Sequence, residues 1–288
     1  MHTSKERTNW RFRLAKRIAE AYVEDANAEV VMIAGSVGRR WDDQYSDIEI
    51  DVYYYAPPTD RSRTEAVKRA GGTLVLLDEG RVEWEEQMTF NRFPAATSTF
   101  LSSTMEDFLI RVINELEIDP IAQTRLSSLL NGIPVKGIDK IGAWRRKAKQ
   151  YPTGLTAAML TEYLDFSQMR NASMFAKRKD LLPLHRIFAE VGENLIKSLL
   201  GLNKVYLPAP DRLKWIEKII GELRLKPPEF AKRLHATFRG APMAGVEELR
   251  TLVLETLDLI EANIPEFRVG GLRTKLGENR HPWKKSPV

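Results

Sequence analysis

The sequence predicts an α+β protein, with a sheet and flanking helices in the first half and an all-α helical bundle after it. Strand-like runs rich in β-branched residues recur between Ala28 and Leu101. Beyond Ser103 the apolar residues fall at helical spacing, with Pro or Gly near most junctions. The run Tyr151-Pro152-Thr153-Gly154 marks a boundary. It separates a first domain over 1–150, with its sheet core at about 28–101, from a helical domain over 151–267 and a basic tail over 268–288.

The elements follow in order. An amphipathic helix from about Asn9 to Asp25 carries Trp10, Leu14, Ile18 and Tyr22 on one stripe and leads into a short strand, Ala28–Ala34, ended by Gly35. A turn follows, with a helix starting near Val37. A second strand covers Asp47 to Val52. Alternate side chains share a face of a strand, so Asp47, Glu49 and Asp51 point one way and Ile48, Ile50 and Val52 the other. Thr59-Asp60 caps a helix that runs to Ala70 and stops at Gly71-Gly72, before an apolar strand at Thr73–Leu77. The segment Val82–Met88 is rich in acids, and Ala95–Leu101 reads as the last strand. A capping box at Ser103-Thr104-Met105-Glu106 then opens a helix. Helices are expected at 104–116, 120–131, 138–149, 153–179, 183–200, 211–222, 227–238 and 244–263.

Composition narrows the function. The 288 residues contain no cysteine, which removes disulfides, thiolate metal sites and cysteine nucleophiles, and the four histidines lack metal-ligand spacing. No window reaches the roughly 18 apolar residues of a membrane span, and the start of the chain lacks the apolar core of a signal peptide, so a cytoplasmic protein is expected. The net charge of +5 resides wholly in residues 268–288, where six bases face the lone acid Glu278; the first 267 residues carry 38 bases and 38 acids. The body therefore lacks the net charge of a nucleic-acid domain, although neutrality overall leaves room for a local basic groove. The tail reads as a flexible terminus that leaves nucleic-acid contact open.

The segment from Gly35 to Asp51 carries the chemistry. A glycine at a tight turn lets backbone N–H groups approach an anion, and Ser36 offers a hydroxyl to a phosphate. Three carboxylates on one face repel one another without a cation. Hard oxygen ligands from one or two carboxylates, completed by substrate phosphates, suit Mg²⁺. The bland alternative for the acids is a strand whose polar face lies in water.

The run Gly35-Ser36-Val37-Gly38-Arg39-Arg40-Trp41-Asp42-Asp43-Gln44-Tyr45-Ser46-Asp47-Ile48-Glu49-Ile50 resembles the nucleotidyltransferase superfamily that includes DNA polymerase β, and in particular the bacterial aminoglycoside nucleotidyltransferases with a helical C-terminal domain. The resemblance implies a nucleotidyltransferase-type mixed sheet with flanking helices and a Mg²⁺-dependent enzyme, with Mn²⁺ as a substitute. Such an enzyme moves NMP, with AMP from ATP expected first, to a hydroxyl of a small molecule such as an antibiotic. It assigns Gly35 and Ser36 to the phosphates, and Asp47 and Glu49 to the metal and to catalysis. Asp51 lies outside the motif. The family's third carboxylate falls at Ser98 or Thr97, neither of which carries a charge, and Glu83 or Glu85 is the nearby substitute. The stretch Gly137–Arg146 faintly resembles the base-bearing helix, which makes Asp139 a candidate base; its other reading is a charge on the first turn of a solvent-facing helix. Glu162 and Asp165, one turn apart, are similar candidates. Arg39, Arg40 and Arg178, the last within Lys177-Arg178-Lys179, could contact the phosphates, although arginine also suits exposed helix positions and helix C-termini.

Other readings stay open. One keeps the fold with weakened chemistry, as a nucleotide- or partner-binding module like the nucleotidyltransferase half of toxin–antitoxin pairs. Another takes a tRNA end or a protein side chain as acceptor, with the tail as tether. The partners expected are a nucleoside triphosphate and a small acceptor, with no membrane and with a homodimer open.

Overall fold

The computed structural model describes residues 4–80, 83–210, 213–278 and 280, and its contacts divide the chain into two units. The first takes the chain up to Glu115 together with Ile121–Gln150; the second takes Leu116–Pro120 and the chain from Tyr151 onward. The first is α+β around a mixed sheet and the second is helical, as the sequence pattern predicts.

In the first unit, helix α1 (Ser4–Val23) precedes strand β1 (Ala28–Ile33), the single turn α2 (Gly35–Gly38) and strand β2 (Ile48–Tyr54). Helix α3 (Asp60–Arg69) then leads to β3 (Thr73–Glu79), β4 (Trp84–Phe90) and β5 (Phe93–Leu101). Helices α4 (Ser102–Ile113) and α5 (Pro120–Asn131), strand β6 (Ile133–Lys136) and helix α6 (Ile138–Ala148) complete it. The sheet order is β3-β4-β5-β2-β1-β6, with β2 and β5 parallel and the other neighbours antiparallel. Pairing β2 with β5 in parallel requires a crossover, which α3 and the β3–β4 hairpin supply.

One face of the sheet is the apolar face anticipated for Ile48, Ile50 and Val52. It packs with Ile18 and Tyr22 of α1 and Val67 of α3 into one fully buried cluster. The opposite face carries the polar residues of β2. There Tyr53 stacks on Phe100 at 5.4 Å between ring centroids and meets Trp144 of α6 edge-on at 5.3 Å. Thr59 caps α3 as expected, its Oγ1 accepting from Ser62 N at 3.1 Å.

Several expectations need correction. The capping box does not form: α4 starts at Ser102, one residue after β5, with Leu101 at its N-cap and no capping side chain. Strand β6 replaces what reads as a link between helices; it is a sheet edge, the place in a sheet where a proline such as Pro134 is tolerated. Asp47 lies outside the ladder, so only Glu49 and Asp51 share the polar face of β2.

The second unit contains α7 (Thr153–Tyr163), α8 (Met169–Arg178), α9 (Leu181–Leu202), α10 (Ile216–Glu222), α11 (Phe230–Thr237), α12 (Pro242–Asn263) and α13 (Gly270–Gly277). Long α9 buries Leu184, Phe188, Val191, Leu195 and Leu199 along one stripe, and α7, α8 and α12 pack against it. The single helix expected over 153–179 is broken at Leu164–Gln168, where Asp165 Oδ1 accepts from Ser167 N at 2.9 Å; Glu162 and Asp165 do not share a helix. In the segment read as a flexible tail, Val269 and Leu276 are buried and Arg273 pairs with Asp258 and Glu261 of α12, at 2.5 and 2.6 Å. The start of the helix expected at 211 and the end of the tail, 281–288, fall outside the described residues. No helix among the described residues is long and apolar enough to cross a membrane.

Candidate functional site

The candidate site begins at the turn between β1 and β2. Gly35 adopts φ +57°, a left-handed conformation that favours glycine, and a Cβ at this position would stand 2.3 Å from Oε2 of Glu49. The Glu49 side chain therefore lies across the Gly35 backbone, next to Ser36. Backbone pairing brings them together, since Ala34 N donates to Glu49 O at 2.9 Å. Glu49 is exposed, and Gly35 and Ser36 are half-buried. The expected helix after the turn is a single turn, so it contributes little macrodipole.

Asp47 is exposed and precedes β2. The loop that presents it is tied down by Asp43, whose Oδ1 accepts from Tyr45 N at 2.9 Å and from Ser46 Oγ at 3.1 Å. Buried Arg11 of α1 adds an Nε bond to Ser46 O at 3.2 Å. Neither Asp43 nor Arg11 stands out in the sequence as part of this site.

Register assigns the rest of the polar face. Glu49 lies opposite Ala96 and Asp51 opposite Ser98 on β5, while Ser98 lies opposite Glu85 on β4. Directly opposed residues share a face, so Ser98 faces the acids and Thr97 is buried on the other side. Glu85 Oε1 accepts from Gln87 Nε2 at 2.8 Å.

Asp51 is buried rather than solvent-facing. Its Oδ2 accepts from Ser128 Oγ at 2.6 Å, and Arg125 NH1 approaches its Oδ1 at 3.4 Å. The same guanidinium donates to Glu83 Oε1 at 2.8 Å and lies over the Phe100 ring at 4.5 Å. Burial pushes the Asp51 carboxyl above the usual range, and Arg125 and Ser128 only partly offset it. Burial pulls the Arg125 guanidinium down, but Asp51 and Glu83 outweigh that effect and hold it charged. Arg125 could have been suspected: it shares a helical stripe with buried Ala122, Leu126 and Leu129, where an arginine needs a partner.

The remaining sequence-derived candidates scatter. Arg39 NH2 donates to Ser127 Oγ at 2.9 Å, which holds it against α5, and Arg40 is exposed at φ +59°. Asp139 is exposed in the first turn of α6, beside Lys140, whose Nζ pairs with Glu29 at 2.6 Å. Arg178 is exposed at the C-terminal end of α8, within the second unit.

A family model described as a domain of unknown function, DUF4037, matches residues 120–216. Among curated proteins no match is found. Among solved structures, a nucleotidyltransferase-like protein from Exiguobacterium sibiricum 255-15 is similar at 9% identity and a TM-score of 0.38, over 92% of this chain and 88% of that one.

A divalent cation can be weighed against the donors present. Among the described residues no three His, Cys, Asp or Glu side chains form a ready-made metal cluster. Asp51 and Glu83 are both engaged by Arg125, whose one positive charge is shared between them. Glu49, against the Gly35 turn, and exposed Asp47, just before β2, are carboxylates of the kind that an ion of the Mg²⁺ type takes, one or two at a time, with its shell completed by water and substrate phosphates.

Proposed function

We propose that this chain is a Mg²⁺-dependent nucleotidyltransferase that moves NMP, AMP from ATP in the first instance, to a hydroxyl of a small acceptor. The observation that supports it best is the Glu49 carboxylate lying across the Gly35-Ser36 turn. A triphosphate on the turn and a cation on Asp47 and Glu49 then share one spot. Gly35 leaves room for the Glu49 carboxylate, Ser36 offers its hydroxyl to the phosphates, and Arg39, three residues on, joins them by leaving Ser127. Mg²⁺ or Mn²⁺, when bound, supplies charge neutralisation and in-line orientation of the phosphates. The acceptor oxygen attacks the α-phosphorus, its proton passes to a base, and pyrophosphate leaves. Asp139 as that base and Arg178 as a phosphate contact rest on the family resemblance alone, and antibiotic acceptors likewise.

A second reading has its own support. Ser98 stands where a third acid is expected, and Arg125 pairs with Asp51, which lies opposite Ser98, and with Glu83. A protein with that arrangement can bind nucleotide while transferring slowly or not at all.

Calorimetric titration with ATP and Mg²⁺, on the wild type and on Asp47→Asn with Glu49→Gln, tests the site. The expected result is metal-dependent binding that weakens at least tenfold in the double variant. Wild-type protein that binds none of ATP, GTP, CTP or UTP with Mg²⁺ or Mn²⁺ removes the proposal. Binding with no pyrophosphate released across an acceptor screen favours the second reading.

A further inference from the structure

A separate cavity of about 470 Å³ lies between α1 and the β4–β5 hairpin. Aromatic rings of Trp10, Phe90 and Phe93 and the side chains of Arg13, Arg17 and Asn91 line it. Phe90 and Phe93 are the closing pair of a two-residue hairpin whose turn residues, Asn91 and Arg92, both take left-handed φ, +48° and +71°. That conformation matches the strand twist and fixes where the two rings stand. Trp10 meets Phe93 edge-on at 4.9 Å between centroids, and Arg11 lies over Trp10 at 4.6 Å and also hydrogen-bonds Ser46 O. The aromatic wall is thus held in place from behind.

Among the described residues, nothing compensates the charge of this cavity. Arg13 and Arg17 are exposed and stand one helical turn apart, a spacing of about 5–6 Å between Cβ atoms, which lets both reach a single anion. Exposed Arg92 sits at the hairpin turn. Among the described residues none of the three has a carboxylate partner; Arg17 instead lies over the Phe90 ring at 5.4 Å. Guanidinium groups pair bidentately with phosphate, and aromatic faces stack on any nucleobase. An aliphatic carboxylate would satisfy the arginines and leave the rings unused. A cavity of this size falls at the lower end of the range for small-molecule sites, about 300–1,000 Å³, and suits one nucleotide.

We propose that this cavity binds one nucleotide unit, its base against Trp10, Phe90 and Phe93 and its phosphate on Arg13 and Arg17. Leu14, Phe90 and Phe93 pack on the apolar face of the sheet, opposite the face that carries Glu49 and Asp51. The site is therefore independent of the proposed triphosphate site, and it supplies the local basic groove that overall neutrality leaves room for. The same chemistry is offered by a free nucleotide and by a nucleotide of a single-stranded RNA.

The test uses full-length protein carrying Asp47→Asn and Glu49→Gln, with EDTA, so that the metal-dependent site is silent. 5′-AMP, a six-residue oligoadenylate and inorganic phosphate are titrated by calorimetry and by indole fluorescence. Binding of AMP or the oligonucleotide is expected with one site per chain, and addition of Arg13→Gln with Arg17→Gln should weaken it at least tenfold at an unchanged unfolding midpoint. Arg13→Glu with Arg17→Glu, also at exposed positions, should abolish it. Equal affinity for the two ligands identifies a free nucleotide, and a tenfold preference for the oligonucleotide identifies a strand. The proposal is overturned if neither binds, if phosphate competes as well as AMP, or if the arginine variants bind like their parent.

Discussion

Arg63 and Glu86 are both fully buried, on the side of the sheet away from the acids, and each is there because of the other. The guanidinium is bonded on all three nitrogens: Nε to Glu86, NH1 to Asp60 at 3.3 Å, and NH2 to the carbonyls of Asp78 and Glu85 at 2.8 and 3.1 Å. Tyr22 donates to the other oxygen of Glu86 at 3.1 Å. Burial still pushes the Glu86 carboxyl above its ordinary range, with Arg63 pulling the other way. Removing only the arginine strands that carboxylate. Arg63→Met should therefore cost about 3–5 kcal/mol in urea unfolding at neutral pH. The loss should shrink as pH falls, because a carboxyl with a raised folded pKa contributes stability below its unfolded pKa and loses it as pH rises through the folded one. Adding Glu86→Gln should restore most of it. A single variant within about 1 kcal/mol of wild type would show that the pair is dispensable. In the sequence Arg63 is one charge among several in Asp60–Arg69, and nothing distinguishes it, because burial of this arginine is decided by residues of β3 and β4. Gly35 and Glu49 were legible for the opposite reason: a glycine turn and an alternating acid are both local patterns.

Among elements, helices with a continuous apolar stripe, such as α9 and α12, could be read directly, whereas β6 could not. Four residues, Ile133–Lys136, one of them proline, give too short a pattern, and only pairing with β1 makes them a strand. The α7–α8 break escaped for a related reason: Leu164 and Phe166 are buried, so hydrophobic spacing continues through a segment that Asp165 turns. Gly137 joins β6 to α6 and lets one element position the next. It takes φ +74°, and a Cβ would stand 2.3 Å from the carbonyl oxygen of Glu29, which is backbone and cannot swing away. From there α6 carries Trp144 to Tyr53, and Arg145 donates to the carbonyls of Leu129 and Gly132, at 2.8 and 2.6 Å, near the C-terminal end of α5. Gly137→Ala should accordingly destabilise the chain by about 2–3 kcal/mol, adding left-handed strain to an overpacked contact. Thermal unfolding followed by circular dichroism measures it. A midpoint unchanged from wild type would mean that the β6–α6 joint yields without cost.

For the whole molecule, the ionisable groups most widely distributed through the interior are tyrosines, and both units contain them. Six of the eight tyrosines have phenols raised above the ordinary value, burial being the leading cause in each. Tyr22, Tyr53 and Tyr54 belong to the first unit, and Tyr151, Tyr163 and Tyr206 to the second, with Tyr206 pushed up to about 12. The glutamate beside Tyr22 and Tyr54, Glu86, adds to the upward shift of both. Because the folded pKa lies above the unfolded one, each phenol favours the folded state fully below the unfolded value, about 10, and that contribution is lost as pH rises through the folded value. The unfolded chain releases these protons first. Alkali should therefore unfold the protein above about pH 10, with phenolate absorbance at 295 nm rising together with the loss of ellipticity at 222 nm rather than ahead of it. Absorbance that reaches its full amplitude while ellipticity stays native would mean that the six phenols ionise inside an intact fold, and that their burial does not keep either unit folded against alkali.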